Sequence, residues 1–375
     1  THAGTDTSST AAGLSLSNGQ IYYFTVKALN GAGLFSPPSV SDGVTIDTSP
    51  PDAVAFVSDG TGADETYSTN DDSLSANWAA SSDPQSGVTA YYYSIGSSAG
   101  ASDTLSWTGA GGATSTTETG LALSGGEKYY FSVKALSGAG AFSSATVSDG
   151  ITVDVSAPAP VASVTDGGET DIDYSTDFSR LSAAWAETSD AESGVAGYYY
   201  SIGTSPAASD TISWTGAGAA TSALESGLSL SGGQAYYFSV AAINAAGLVG
   251  VPAYSDGVVI DTSAPGGVDT VNDGSGPDVD FSMDSSNFSA NWSQAVDAES
   301  GIAEYYYSIG NSLCSSDTVV WTSAGAATSA TAAGLSLSGG QSYYFSVAAV
   351  NRAGLVGAPG CSDGVLIDIS VPDTI

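Results

Sequence analysis

One stretch, Gly334-Leu335-Ser336-Leu337-Ser338-Gly339-Gly340-Gln341-Ser342-Tyr343-Tyr344-Phe345-Ser346-Val347-Ala348-Ala349-Val350-Asn351-Arg352-Ala353-Gly354, recurs in four versions, centred on Tyr22, Tyr129, Tyr236 and Tyr343. The spacing is 107 residues each time, so the 375 residues hold three full repeats and about half of another. A unit of this length is enough to bury a core of its own. Within each copy, Tyr343, Phe345, Val347 and Ala349 alternate with Tyr344, Ser346, Ala348 and Val350, and glycines punctuate both ends. That period-2 pattern predicts one long antiparallel strand and disfavours a helix.

The leading Leu335-x-Leu337, the Gly-Gly-Gln and then Tyr343 look like a tyrosine corner, in which a Tyr hydroxyl satisfies a backbone group at the turn from strand E to strand F. The whole run resembles strand F of fibronectin type III domains, and Trp78 in Leu74-Ser75-Ala76-Asn77-Trp78 matches the core tryptophan which that family places in strand B. The resemblance implies an all-β fold: tandem seven-stranded Greek-key β-sandwiches in an extended array. Val54 and Phe56 start strand A, Tyr91 to Gly96 is strand C and Thr104 to Trp107 a further strand. Thr116 to Leu123 is strand E with its exit, Tyr129 to Leu136 strand F and Gly150 to Asp154 strand G. Two features depart from the family pattern and lengthen the unit, the acidic insert Gly60 to Asn70 and the Trp107 strand. The Arg-Gly-Asp tripeptide of some relatives is absent, so integrin-type adhesion is not implied.

Full repeats are expected at 50–154, 157–261 and 264–368, joined by Pro-containing linkers too short for free swivelling. Thr1 aligns with Thr108, Thr215 and Thr322, which makes residues 1–47 the C-terminal half of a truncated repeat with an exposed apolar face, and residues 371–375 the start of a next one. Trp78, Trp185 and Trp292 keep the 107-residue spacing, as do Asp42, Asp149, Asp256 and Asp363. A flexible spacer would tolerate drift in loop length. Fixed length fits repeats packed in a lattice, fibre or stack, and recent duplication would produce the same regularity.

Thirty-nine acidic residues against 5 basic ones give a formal charge of −34, which disfavours nucleic acid and anionic membrane surfaces as partners. No apolar run approaches the length of a membrane helix, so no membrane insertion is expected. The Ser- and Thr-rich, Lys-poor composition fits an extracellular or cell-surface, bacterial setting.

No catalytic constellation is present. His2 is the only histidine, and paired carboxylates such as Asp190 with Glu192 recur in every unit, which an active site has no need to do. In fibronectin-like topology Asp59, Asp64, Asp103 and Asp154 share one pole, facing Asp190 and Glu192 of the next unit, and together they form a candidate Ca²⁺ site at the domain junctions. The competing reading is ordinary turn and capping chemistry by aspartates. No other cofactor is expected.

Tyr92, Tyr199 and Tyr306 must face away from their neighbours along strand C, and with Trp107, Trp214 and Trp321 they are candidate outer-face contacts. Sheet-face packing, a protein partner and a surface glycan are the open readings. Cys314 and Cys361 appear together in one repeat, which suggests a disulfide, yet the inferred topology puts them at opposite poles. An intradomain bridge, cross-links to neighbouring units and free thiols all remain open. The expectation for function is a non-catalytic structural array: an extracellular filament, stalk or giant surface protein whose partners are copies of itself or adjoining repeats. The alternative is a set of adhesive or carbohydrate-binding accessory repeats presenting a separate functional head.

Overall fold

β-Branched and aromatic residues in alternation favour the pleated backbone. The computed structural model describes residues 2–168 and 170–372, and contains strands and turns but no helix among them. In the repeat 50–154 the strands are β1 (Val57–Asp59), β2 (Tyr67–Ser68), β3 (Leu74–Trp78), β4 (Val88–Gly96), β5 (Leu105–Gly111), β6 (Ser115–Glu118), β7 (Lys128–Ser137), β8 (Thr146–Val147) and β9 (Ile151–Val153). One sheet is β1-β3-β6; the other runs β2-β9-β7-β4-β5, with β8 also on β7. Strands A, B and E thus face C, F, G and the Trp107 strand. The same arrangement recurs in 157–261 and 264–368, making the chain a tandem series of β-sandwiches, each with an A-B-E sheet against a G-F-C sheet. Of the segment 371–375, residues 373–375 lie outside the described residues.

The seven strands expected in each repeat, A, B, C, the Trp107 strand, E, F and G, are all present, with two additions to the pattern. The acidic insert is not a plain loop: it carries β2, which crosses to the other sheet and pairs parallel with β9 (Thr152 with Tyr67, Val153 with Ser68). Strand G is broken into β8 and β9 at Gly150, whose φ of 91° suits glycine and where a Cβ would fall 2.6 Å from the Tyr130 ring.

By its contacts the chain divides into two units. One comprises residues 1–158 with Ser189–Val195 and Asn244–Val249, and the other Ala159–Thr188, Ala196–Ile243 and Gly250–Ile375. The B–C and F–G loops of the repeat 157–261 therefore group with the repeat before them.

Alternation along β7 sends Tyr129, Phe131, Val133 and Ala135 into the core and turns Tyr130, Lys134 and Leu136 outward. Trp78 packs on Tyr91 and Tyr93, at ring-centroid distances of 6.0 and 6.1 Å. Both tyrosine hydroxyls are satisfied: that of Tyr91 accepts from Ser81 N at 2.8 Å, and that of Tyr93 donates to Glu118. Among the described residues of 2–47 no second sheet faces these positions, and Phe24 is 54% exposed where Phe131 is 0%. Even so, the Tyr22 hydroxyl accepts from Ser17 N at 3.1 Å, as Tyr129, Tyr236 and Tyr343 accept from Ser124, Ser231 and Ser338 at 3.0 Å. The tyrosine corner is a local structure that forms with or without a core. Tyr236→Phe leaves Ser231 N unpaired and should cost about 1 kcal/mol in urea unfolding, whereas Tyr22→Phe, at an exposed corner, should cost less.

The repeat 264–368 carries a disulfide between Cys314 and Cys361, with Cα atoms 5.6 Å apart. Two features remove the opposite-pole objection. The segment Gly360–Cys361 pairs with Val347 and Ser346, midway along the strand Ser342–Asn351, and not at its far end. The turn after strand C folds back over the outer face of the sheet, so closely that a Cβ on Gly310 would lie 2.6 Å from the backbone carbon of Ser315. Cys314 is thereby carried over the sheet to Cys361. The turn demands a left-handed residue, Gly100 (φ 82°) in one repeat and Ala207 (φ 67°) and Cys314 (φ 58°) in the others. The bridge closes a sequence separation of 47 residues, worth about 4 kcal/mol by chain entropy. Reduction should lower the stability of this repeat by up to about that amount. Introducing Ala207→Cys with Tyr254→Cys should form the equivalent bond, detectable by mass spectrometry.

Candidate functional site

The chemically distinctive places are the junctions between repeats. In the first unit, Asp154 directly follows β9, Ser156 lies in the linker, Asp190 and Glu192 lie in the next B–C loop, and Asn244 ends the next strand F. The Asn244 amide is buried and donates to Asp154 Oδ2 (2.9 Å), Ser156 O (3.0 Å) and Asp190 Oδ2 (3.2 Å), while its Oδ1 accepts from Leu248 N (2.7 Å). Glu192 Oε2 reaches back across the junction to accept from Val155 N, Ser156 N and the Ser156 hydroxyl (2.6 Å). A side-chain amide therefore bridges the two aspartates that the sequence suggested for a cation.

Electrostatics follow from these contacts. Burial pushes the Asp154 carboxyl up, and its neighbours Glu192 and Asp190 add to the rise. For Asp190 burial is opposed and outweighed by hydrogen bonds from Ser193 N, Asn244, Glu192 N and Gly194 N, which hold the carboxyl below its usual range. The Ser156 hydroxyl and Asp154 hold Glu192 down likewise. Glycine at residue 125 leaves room for Glu192 in this position: a Cβ there would sit 1.9 Å from Glu192 Oε1 and oblige the carboxylate to shift.

The second unit repeats the arrangement residue for residue. Asn351 donates to Asp261 Oδ2 (2.8 Å), Ser263 O (3.0 Å) and Asp297 Oδ2 (3.2 Å), and Glu299 accepts from Thr262 N, Ser263 N and the Ser263 hydroxyl. The junction before residue 50 differs. Ser137 stands at the position of Asn244, Gln85 at that of Glu192 and Asn18 at that of Gly125, and Asp83 Oδ2 is buried with no partner. Ser137→Asn should fill that gap and stabilise the junction by about 1 kcal/mol. Asn244→Ser should strip the amide from the buried Asp154 and the half-buried Asp190, lowering the melting temperature and broadening the transition in calorimetry.

The remaining candidates fall elsewhere. Asp59 and Asp64 do not meet the junction residues; one carboxylate oxygen from each lies with one from Asp149, all within 4.8 Å of one another. Asp166, Asp171 and Asp256, and Asp273, Asp278 and Asp363, form the same triad in the later repeats. Burial pushes the Asp59 carboxyl up to about 6 against hydrogen bonds from Ser148 and Gly150, and the charges of Asp64 and Asp149 add to the shift. Asp166 and Asp273 are likewise raised to about 6, burial again leading. Asp103 stands apart, accepting from Ser97 N (2.8 Å) and the Ser97 hydroxyl (2.6 Å) to close the turn after β4.

On the outer face of the larger sheet, Tyr92 packs edge-on against Phe142 at 5.2 Å, and Lys134 Nζ lies 4.0 Å from the Trp107 ring centroid and 4.3 Å from that of Phe142. In the next repeats Ala241 and Ala348 replace that lysine, and Trp214 and Trp321 are each 41% exposed. Tyr199 is exposed as well. In the repeat 264–368, Tyr306, Trp321, Val350, Val356 and Pro359 line an open groove of about 540 Å³.

Sequence reasoning missed Asn244 and Asn351 as junction residues, although each closes the Val-x-Ala-x-Asn-x-x-Gly part of the strand F run, and it left Asp149 outside the candidate cation set although its spacing was visible. No protein-family model and no curated protein matches the sequence. Among solved structures the chain is similar to chicken CNTN1 FN1-FN3 domains, at 17% identity over 84% of this chain and 98% of that one, with a TM-score of 0.33. It is also similar to domains A168-A170 from titin, at 12% identity over 85% of this chain and 100% of that one, with a TM-score of 0.36. At these scores the fold assignment rests on strand order and pairing within each repeat.

Proposed function

We propose that the chain is a non-catalytic structural array, part of an extracellular filament, stalk or giant surface protein whose neighbours are copies of itself or adjoining repeats. The observation that carries this reading is the junction built on Asn244 and again on Asn351. A buried amide satisfies acceptors from two successive repeats and from their linker, and the following glutamate caps the linker's amides. Such a network is of use to a protein that must hold successive domains in register, and of little use to a string of independent binding modules. The fixed 107-residue period and the disulfide, which suits an oxidising compartment, support the same reading. The junction carboxylates are engaged with backbone amides and hydroxyls, which leaves them poorly placed for proton transfer.

The half-exposed Tyr306 and Trp321 beside their groove favour a second reading, in which the repeats bind a surface glycan by stacking. Electron microscopy of the purified chain separates the two. Particles with a narrow distribution of inter-repeat angles, broadened by Asn244→Ser with Asn351→Ser, are the expected result. Wild-type particles with freely varying angles, together with retention on polysaccharide that Trp321→Ala abolishes, would replace the structural reading with the binding one.

A further inference from the structure

We infer that each full repeat carries its own divalent-cation site, selective for Ca²⁺, formed by Asp59, Asp64 and Asp149 and by their counterparts Asp166, Asp171 and Asp256, and Asp273, Asp278 and Asp363. The site lies within the repeat and is separate from the amide-bridged junction. Its three carboxylates come from three places: the end of β1, the turn that opens the acidic insert, and the break between β8 and β9. Local bonds hold them in position, since Asp64 Oδ1 accepts from Asp59 N at 2.8 Å and Asp59 Oδ2 accepts from Gly150 N at 3.0 Å.

The observation that points to a ligand is the other oxygen of the innermost carboxylate. Asp59 is 0% exposed, and its Oδ1 has no hydrogen-bond partner; Asp166 Oδ1 and Asp273 Oδ1 are equally buried and equally unpartnered. A buried carboxylate oxygen without a donor, beside two further carboxylates, is costly unless a positive charge neutralises it. No side chain supplies that charge: the one ion pair among the described residues is Arg180 with Asp177. The charged groups nearest the first triad, Glu65 against Gly60 and Lys128 against Gly150, have Ile172 and Ala235, then Val279 and Ser342, as counterparts, so the three aspartates are the only charged groups common to all three repeats, beside a shared neutral donor, Ser148, Ser255 or Ser362.

Size and hardness select the ion. Oxygens bound to one Ca²⁺ at about 2.4 Å can lie up to about 4.8 Å apart, and Ca²⁺ completes an irregular shell of about 6–8 oxygens with carbonyls and water. The triad oxygens lie within 4.8 Å of one another and are partly open to solvent, and the absence of nitrogen or sulfur ligands argues against transition metals. The two outer aspartates leave a face for water.

The test is calorimetric titration of the EDTA-dialysed chain with CaCl₂ near neutral pH, paired with thermal melts. About three Ca²⁺ should bind per chain, with Kd of about 0.1–1 mM as in extracellular calcium modules, and the melting temperature should rise with added Ca²⁺. Asp64→Asn, Asp171→Asn and Asp278→Asn together keep the Oδ1 acceptor for the preceding backbone amide while removing one charge per site. That variant should fold, shown by an unchanged circular dichroism spectrum, and lose both the heat and the melting response. No heat and no melting shift up to about 10 mM CaCl₂ would overturn the inference. So would an equal shift with MgCl₂ or matched NaCl that the triple variant still shows, since that is screening of the −34 charge and not a site.

Discussion

The tight burial of Phe131, Phe238 and Phe345 between two sheets is the constraint on which everything else in a repeat depends. Each is fully enclosed, and fully burying such a side chain is worth roughly 1.5–3 kcal/mol. Around Phe131 the Trp78, Tyr91 and Tyr93 rings close the core, and around Phe345 the Tyr307 ring stacks at 5.1 Å. Because strand side chains alternate, committing these residues inward commits Tyr92, Trp107, Lys134 and Phe142 outward, where they build a second, polar-edged aromatic layer. The same commitment places the ends of the strands, and so aims the loops that meet the neighbouring repeat.

Those loops solve an electrostatic problem by two different means. At the junctions, aspartates from successive repeats approach closely and are bridged by a neutral amide, with Gly125 clearing space for Glu192. Within each repeat three aspartates converge, and the innermost carboxylate, served only by a backbone amide and a serine hydroxyl, keeps its Oδ1 unpartnered. A chain with 39 acidic and 5 basic residues cannot rely on ion pairs, so amides, hydroxyls and, by our proposal, Ca²⁺ take the place of lysine and arginine. The junction before residue 50 illustrates the amide's contribution by its absence: Ser137 is too short to bridge, and Asp83 Oδ2 is left unpartnered.

What the amino-acid sequence determined by itself is the part governed by local periodicity and by repetition. The period-2 run around Tyr343 specifies strand F and its inward face, the Gly-rich turn specifies the tyrosine corner, and the 107-residue spacing specifies how many sandwiches there are and where each begins. Only the tertiary structure decided which distant residues meet. Tyr67 and Ser68 look like part of a loop until β9 offers them an edge to pair with, and Cys361 reaches Cys314 only because strand G starts midway along strand F while a turn folds back over the sheet. Asp103 separates from Asp59 and Asp64, and Asp149 joins them, because a carboxylate's reach of a few ångströms is set by loop geometry that no sequence spacing encodes. Short-range hydrogen bonding is written in neighbouring residues, whereas long-range convergence depends on strand register and on the side from which each loop returns.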